Sequence, residues 1–135
     1  MRLFWNGVLP AITTPFKADG TVDHEFLARH VGMMFDAGCT GIVPLGSLGE
    51  TATLTTVEKK AVLETVVQAT AGRGAVVPGV AALSTDDAVA FAKMAADVGC
   101  RGLMVLPPYV YSSDWREMKH HVSTVIAATK LPCML

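Results

Sequence analysis

The sequence predicts an α/β fold built on a parallel sheet, and three observations carry that prediction. Short apolar runs rich in Val, Ile and Leu recur along the chain, each too short for a helix and nearly continuous rather than alternating, as in strands buried on both faces. Between them lie segments whose apolar residues fall three and four apart, so strand and helix alternate. One unit also repeats: DAGCTGIVPLG from Asp36 is echoed by DVGCRGLMVLP from Asp97, 97 − 36 = 61 residues on, or two units of about 30. Equivalent positions two units apart suit a (β/α)8 TIM barrel, where alternate strands fill the same interior layers; a doubly wound open sheet is the alternative. A complete barrel takes about 250 residues. Residues 1–135 are therefore expected to supply the N-terminal half of a single barrel domain, about the first four βα units and the start of strand 5.

Each element has its own signature. Residues 8–12 form the first apolar run. A helix is expected over 24–37, with Asp23 as N-cap, Phe26, Leu27, Val31, Met34 and Phe35 at helical spacing, and Gly38 as the stop. After the run at 41–45, Thr55 and Glu58 make a capping box for a second helix that buries Val62, Leu63, Val66 and Val67 and ends at Gly72. Residues 75–80 read as one strand. The third helix starts at Thr85, with Asp86 and Asp87 in the first turn, where acidic groups meet the helix dipole favourably. A strand at 102–106 leads to a fourth helix over about 114–128, whose apolar face is read as Trp115, Met118, Val122, Val125 and Ile126. Residues 131–135 begin a fifth strand. The last run, LPCML, breaks off within that strand, and an isolated half-barrel would expose two parallel edges. A fragment, a truncation or an assembly that restores closure is expected.

Composition narrows the function classes. Apolar residues make up 51% and charged residues 17%, so the chain has more to bury than surface to show, which points to a partner or a missing half. A net charge of −1 with scattered Lys and Arg offers no stripe for nucleic acid and no cluster for anionic lipid. Asn6, Gly7 and Pro10 interrupt any signal core, and no run approaches the roughly 18 apolar residues of a membrane span. Cys39, Cys100 and Cys133 are an odd count without a close pair, which implies a reducing compartment, read as the cytoplasm, and thiols that serve packing.

Ligands of such folds sit at the carboxyl ends of the strands, where residues 46–50 (GSLGE) and 107–111 (PPYVY) fall. Gly46 and Gly49 would permit positive φ and let backbone N–H groups approach a small anion, and the Ser47 hydroxyl could accept or pass a proton. On spacing alone, a turn that needs glycine for geometry explains the loop as well. Four histidines lack metal spacing: His24 and His30 are six apart, His120 and His121 adjacent, and Glu117-x-x-His120 has no second copy. They are expected to be exposed or at helix ends, and no metal is expected. No GxGxxG, Walker loop or GxSxG elbow occurs.

Several motifs in order, GVLPAITTPFKADGTVD, GSLGETATLT followed by EKK, VVPGVAALSTDDAVAFAKMAADVGCRGLMVLPPY, and LP before the last run, resemble the dihydrodipicolinate synthase and N-acetylneuraminate lyase family. The resemblance covers essentially all 135 residues but only the first half of a member. It implies a (β/α)8 barrel that assembles as a homo-oligomer, dimer or tetramer, and a lysine that forms a Schiff base with pyruvate or another 2-keto acid, without metal or organic cofactor. The family's loop is typically GTTGE or GSTGE: Ser47 matches the first hydroxyl, which joins a proton relay, while Leu48 stands where the second helps to bind the substrate carboxylate. The backbone of Gly46, Ser47, Leu48 and Gly49 would hold that carboxylate. PPYVY resembles the family's PPYY, whose second tyrosine enters a neighbouring subunit's site; Tyr109 matches the first tyrosine, Val110 occupies the second position, and Tyr111 is a candidate substitute. The family's lysine projects from the sixth strand, and no lysine of this chain lies in an interior strand, so the nucleophile is expected beyond residue 135 and these residues alone are expected to be inactive. Leu48 and Val110 argue against dihydrodipicolinate synthase activity in particular and leave sugar-derived or aromatic keto acids open. A non-catalytic half-barrel that serves assembly is the alternative, and a phosphate-binding barrel is a weaker third.

Overall fold

Helix starts and stops in the computed structural model, which describes residues 5–110 and 112–135, follow from side chains that satisfy orphan backbone groups. Helix α1 (His24–Asp36) opens where the Asp23 carboxylate accepts the Phe26 N–H, and Gly38 at φ +95° turns the chain away after it. Helix α2 (Thr56–Thr70) carries both halves of the Thr55–Glu58 box, and Ala71 and Gly72, both left-handed, end it. The Thr55 side-chain and backbone hydrogen bonds hold the Glu58 carboxyl below its ordinary pKa. Helix α3 (Thr85–Val98) is capped by Ser84 and stopped by Gly99, and α4 (Trp115–Ala127) by an Asp114–Glu117 box. Each helix packs against the next in chain order.

The named strands among the described residues pair in parallel: β1 (Gly41–Ile42) with β2 (Ala75–Val76), and β3 (Gly79–Val80) with β4 (Leu103–Val105), which pairs with β5 (Cys133–Met134). β2 and β3 belong to the single run expected over 75–80. The N–H groups of Ala75, Val77 and Gly79 bond to the carbonyls of Thr40, Ile42 and Pro44, while the carbonyls of Val76, Pro78 and Val80 accept from Arg101, Met104 and Leu106. Pro78, lying between β2 and β3 with its carbonyl toward β4, has no N–H to donate on that side. The run at 8–12 is reduced to one parallel bridge, Ala11 with Val43, for a similar reason: Pro10 accepts from Val43 but cannot donate. The spatial order is thus 8–12, β1, β2–β3, β4, β5.

Consecutive order without reversal is that of a barrel and not of a doubly wound sheet, whose strand order reverses at a switch point. Two apolar clusters confirm the sidedness. The larger joins Ile42, Val76, Val80, Leu103 and Val105 to helix residues such as Leu27, Val31, Leu63, Val66, Ala92 and Val125. The smaller consists of strand residues only, Val43, Ala75 and Val77, with Leu9 and Met104 against them. Helices therefore cover one face, and the other faces the barrel interior.

The α4 face departs from expectation. Trp115 is 72% exposed and Ile126 also turns outward, whereas His121 is buried beside Val125. The imidazole enters the α3–α4 seam because it finds a partner there, its Nδ1 lying 2.9 Å from Thr85 Oγ1, while Nε2 is buried without a partner among the described residues. Burial, with a smaller contribution from His120, lowers the His121 pKa from its ordinary value. His24 is half-buried at the first position of α1, its Nδ1 2.7 Å from Thr65 Oγ1, and His120 is exposed. Cys100 is buried, with its pKa raised to about 12 by desolvation, as suits a packing thiol.

Candidate functional site

Because β1 and β4 flank the 75–80 run and both lie parallel to it, the segments that leave their carboxyl ends lie on the same rim. The first, residues 45–50, departs from the expected backbone. Left-handed φ values fall on Leu45 (+59°) and Glu50 (+53°) and not on Gly46 or Gly49. The glycines serve close approach instead. A Cβ at Gly49 would lie 2.9 Å from Leu45 N and 3.2 Å from the Ile12 carbonyl. Gly79, on the neighbouring strand, makes room from the other side: a Cβ there would meet the Leu45 oxygen at 2.8 Å and Gly46 Cα at 3.0 Å. Leu45 itself is fully buried, so packing holds a conformation that a bulky side chain disfavours.

What this packing presents is a small set of donors without an acceptor among the described residues. Gly49 N–H bonds to the Gly46 carbonyl and Glu50 N–H to the Ser47 carbonyl. Among the described residues, the N–H groups of Gly46, Ser47 and Leu48 bond to no acceptor, and neither does the Ser47 hydroxyl. Gly46 and Gly49 are buried; Ser47 and Leu48 are exposed, Leu48 at 62%. Successive amides without an acceptor are a donor set of the kind that can hold a small anion, and Leu48 adds an apolar side chain with no donor of its own. Thr14, two residues past the first apolar run, bonds through its hydroxyl to the Gly49 carbonyl at 2.7 Å and is buried. Sequence reasoning did not single it out, although a hydroxyl residue just past an apolar run and before a proline was a usable signal.

The second rim segment is built differently. Tyr109 is 66% exposed and Val110 53%. Both line a cleft of about 470 Å³ between α2 and α3, where Thr56, Lys59, Asp87, Phe91 and Met94 also contribute. Residues 46–49 are not among the residues that line this cleft. Tyr111 lies outside the described residues. Lys59, Lys60, Lys93 and Lys119 sit on helices, Lys17 in a turn and Lys130 after α4. Among the described residues, no group of three or more His, Cys, Asp or Glu side chains could hold a metal ion. No helix is long and apolar enough to cross a membrane.

Comparison with known proteins places these features in context. The family described as the dihydrodipicolinate synthetase family matches residues 5–135. A relative from Methanococcus maripaludis, called 4-hydroxy-tetrahydrodipicolinate synthase, is 36% identical over 129 residues, which are 96% of this chain and 44% of the relative. The crystal structure of dihydrodipicolinate synthase from Aquifex aeolicus superposes with a TM-score of 0.91 at 34% identity, over 96% of this chain and 44% of that one. A prophage protein of E. coli K12 described as belonging to the dihydrodipicolinic acid synthase family, solved in complex with pyruvate, gives 0.93 at 27% identity over 97% and 44%. The chain thus spans less than half the length of the relatives it matches, aligning with the N-terminal part of their TIM barrels.

Proposed function

The chain belongs to the dihydrodipicolinate synthetase family, and from that premise we propose that the protein carrying these residues is a Schiff-base lyase, an aldolase-like enzyme acting on pyruvate or another 2-keto acid. Residues 1–135 then contribute the N-terminal half of one barrel domain. The observation that carries the reading is the run of N–H groups at Gly46, Ser47 and Leu48, unpaired among the described residues, on the carboxyl rim of parallel strands, a place and a donor set suited to a carboxylate.

In this reading the substrate carboxylate rests on those amides, and the Ser47 hydroxyl, unpartnered among the described residues, passes a proton as the carbonyl carbon changes its bonding. A lysine amine attacks that carbon, and water leaves as the imine forms. The nucleophile is a lysine outside these residues, a role in which a desolvated site lowers the amine pKa. Leu48 withholds the side-chain donor that the related GTTGE loops carry, at a cost of about 1 kcal/mol for a lost hydrogen bond. Exposed Tyr109 and Val110 support assembly of copies as a dimer or tetramer, with Tyr109 or Tyr111 serving a neighbour's site. The unpaired cysteines support a cytoplasmic location.

The test is to incubate the complete product of the reading frame that encodes these residues with pyruvate and borohydride, and to read the mass of its peptides. A reduced pyruvyl adduct on one lysine is expected. Absence of an adduct with any 2-keto acid would contradict the reading, and a trapped adduct on residues 1–135 alone would overturn the placement of the nucleophile.

A further inference from the structure

The hydroxyl of Thr14 reaches across 35 residues of sequence to the Gly49 carbonyl, at 2.7 Å and in a buried setting. This contact is a strong constraint because of what surrounds it. The loop between Leu45 and Glu50 begins and ends on residues in the left-handed region, neither of them glycine. Gly49 packs against Leu45 N and the Ile12 carbonyl, and Gly79 packs against Leu45 and Gly46 from the next strand. Two side chains from outside the loop bond to its backbone among the described residues: Thr53, three residues on, to the exposed Glu50 carbonyl, and Thr14, distant in sequence and buried, to the Gly49 carbonyl. The acceptor of Thr14, the Gly49 carbonyl, shares a peptide unit with the Glu50 N–H, which bonds to the Ser47 carbonyl, and the Ser47 carbonyl in turn shares its unit with the Leu48 N–H. The Gly49 N–H bonds to the Gly46 carbonyl, whose unit carries the Ser47 N–H, so a shift at Gly49 would turn both amides.

We propose that Thr14 is a positioning residue of the candidate site, whose hydrogen bond to Gly49 fixes the direction in which the Ser47 and Leu48 amides meet a substrate carboxylate. The inference rests on the assignment of this loop to carboxylate binding. Thr14 touches no substrate in this scheme; it acts through Gly49.

The test compares wild type, Thr14→Val and Thr14→Ser in the complete protein, measuring the rate of borohydride-trapped adduct formation with pyruvate and with methyl pyruvate, which lacks the carboxylate charge. Val matches Thr in shape and removes the hydroxyl; Ser keeps the hydroxyl. Thr14→Val is expected to lose about tenfold or more of the preference for pyruvate over its ester, as expected when about 1.4 kcal/mol of oriented contact is lost, whereas Thr14→Ser keeps the preference. A purely structural role would lower the folded fraction and both rates together, leaving the ratio unchanged, and that result would overturn the proposal while the lyase reading stands. If wild type forms no adduct, the lyase reading fails and this inference falls with it. Should Thr14→Val not fold, Thr14→Ser decides: a folded Ser variant that has lost the preference overturns the role given to the hydroxyl.

Discussion

Two segments leave the carboxyl ends of parallel strands on the same rim and are held by opposite means. Residues 45–50 are clamped: glycine contacts on two sides, a buried Thr14 hydroxyl and a fully buried Leu45 fix a backbone that contains two disfavoured φ values. Residues 107–110 present Tyr109 and Val110 to solvent over a cleft. The difference teaches where binding precision can come from within these residues. A loop whose amides are oriented before any ligand arrives loses little freedom on binding, whereas exposed aromatic and apolar side chains gain their order from whatever covers them.

The most direct way to break this contrast is to fill the clamp. Gly49→Ala and Gly79→Ala each place a methyl group against backbone atoms, at 2.9 and 2.8 Å, where only main-chain movement relieves the clash. Each is expected to destabilise by about 2–3 kcal/mol, read as a lowered denaturant midpoint at unchanged m-value. If either variant proves as stable as wild type, the loop is not clamped as described.

A second prediction concerns α4, the helix that the 107–112 segment enters. His121 is buried in the α3–α4 seam, and burial first and the charge of His120 second lower its pKa from 6.5. A base whose folded pKa lies below its unfolded one contributes full stability above about pH 6.5, and that stability is lost as pH falls from there towards the folded value. Hydrogen exchange in α3 and α4 should therefore quicken relative to α1 and α2 as pH falls from about 7.5 to about 5.5, after correction for intrinsic rates. His121→Asn should flatten that dependence. Equal behaviour of both helix pairs would contradict the assignment.

Smaller effects separate the segments further. Glu50 is exposed at φ +53°, so Glu50→Gly removes a left-handed penalty without emptying a core site; a stabilisation of up to about 1 kcal/mol is expected in thermal unfolding. Tyr109→Ala and Val110→Ala should move monomer stability by less than about 0.5 kcal/mol, because both side chains are largely exposed. Their effect should appear in sedimentation of the complete protein, as weaker self-association. Unaltered assembly would remove the role given to this segment.

Much of the architecture was legible in the sequence because it is written locally. The Thr55–Glu58 box, the Asp23 cap, the stop at Gly38 and the strand–helix alternation all depend on residues within a turn or two of one another. Strand lengths were less legible, since a proline within an apolar run removes a donor only on the side its N–H would have faced, as Pro78 does between β2 and β3. The burial of His121 was not legible at all: it depends on Thr85, 36 residues away, meeting it across the seam. At the loop, the glycines pointed to the right place for a different reason. They admit neighbouring backbone, while the unusual φ angles fall on Leu45 and Glu50, whose side chains would not suggest them. The polar clamp came from Thr14, which local pattern could not connect to a glycine 35 residues on.

The central claim is that the amides of the 45–50 loop are oriented in advance to receive a carboxylate. A crystal structure of the complete protein after pyruvate and borohydride treatment tests it most directly. The claim predicts a carboxylate oxygen within about 2.7–3.2 Å of Ser47 N or Leu48 N, with the Thr14–Gly49 hydrogen bond intact. A carboxylate held elsewhere, with these amides facing solvent, would contradict it.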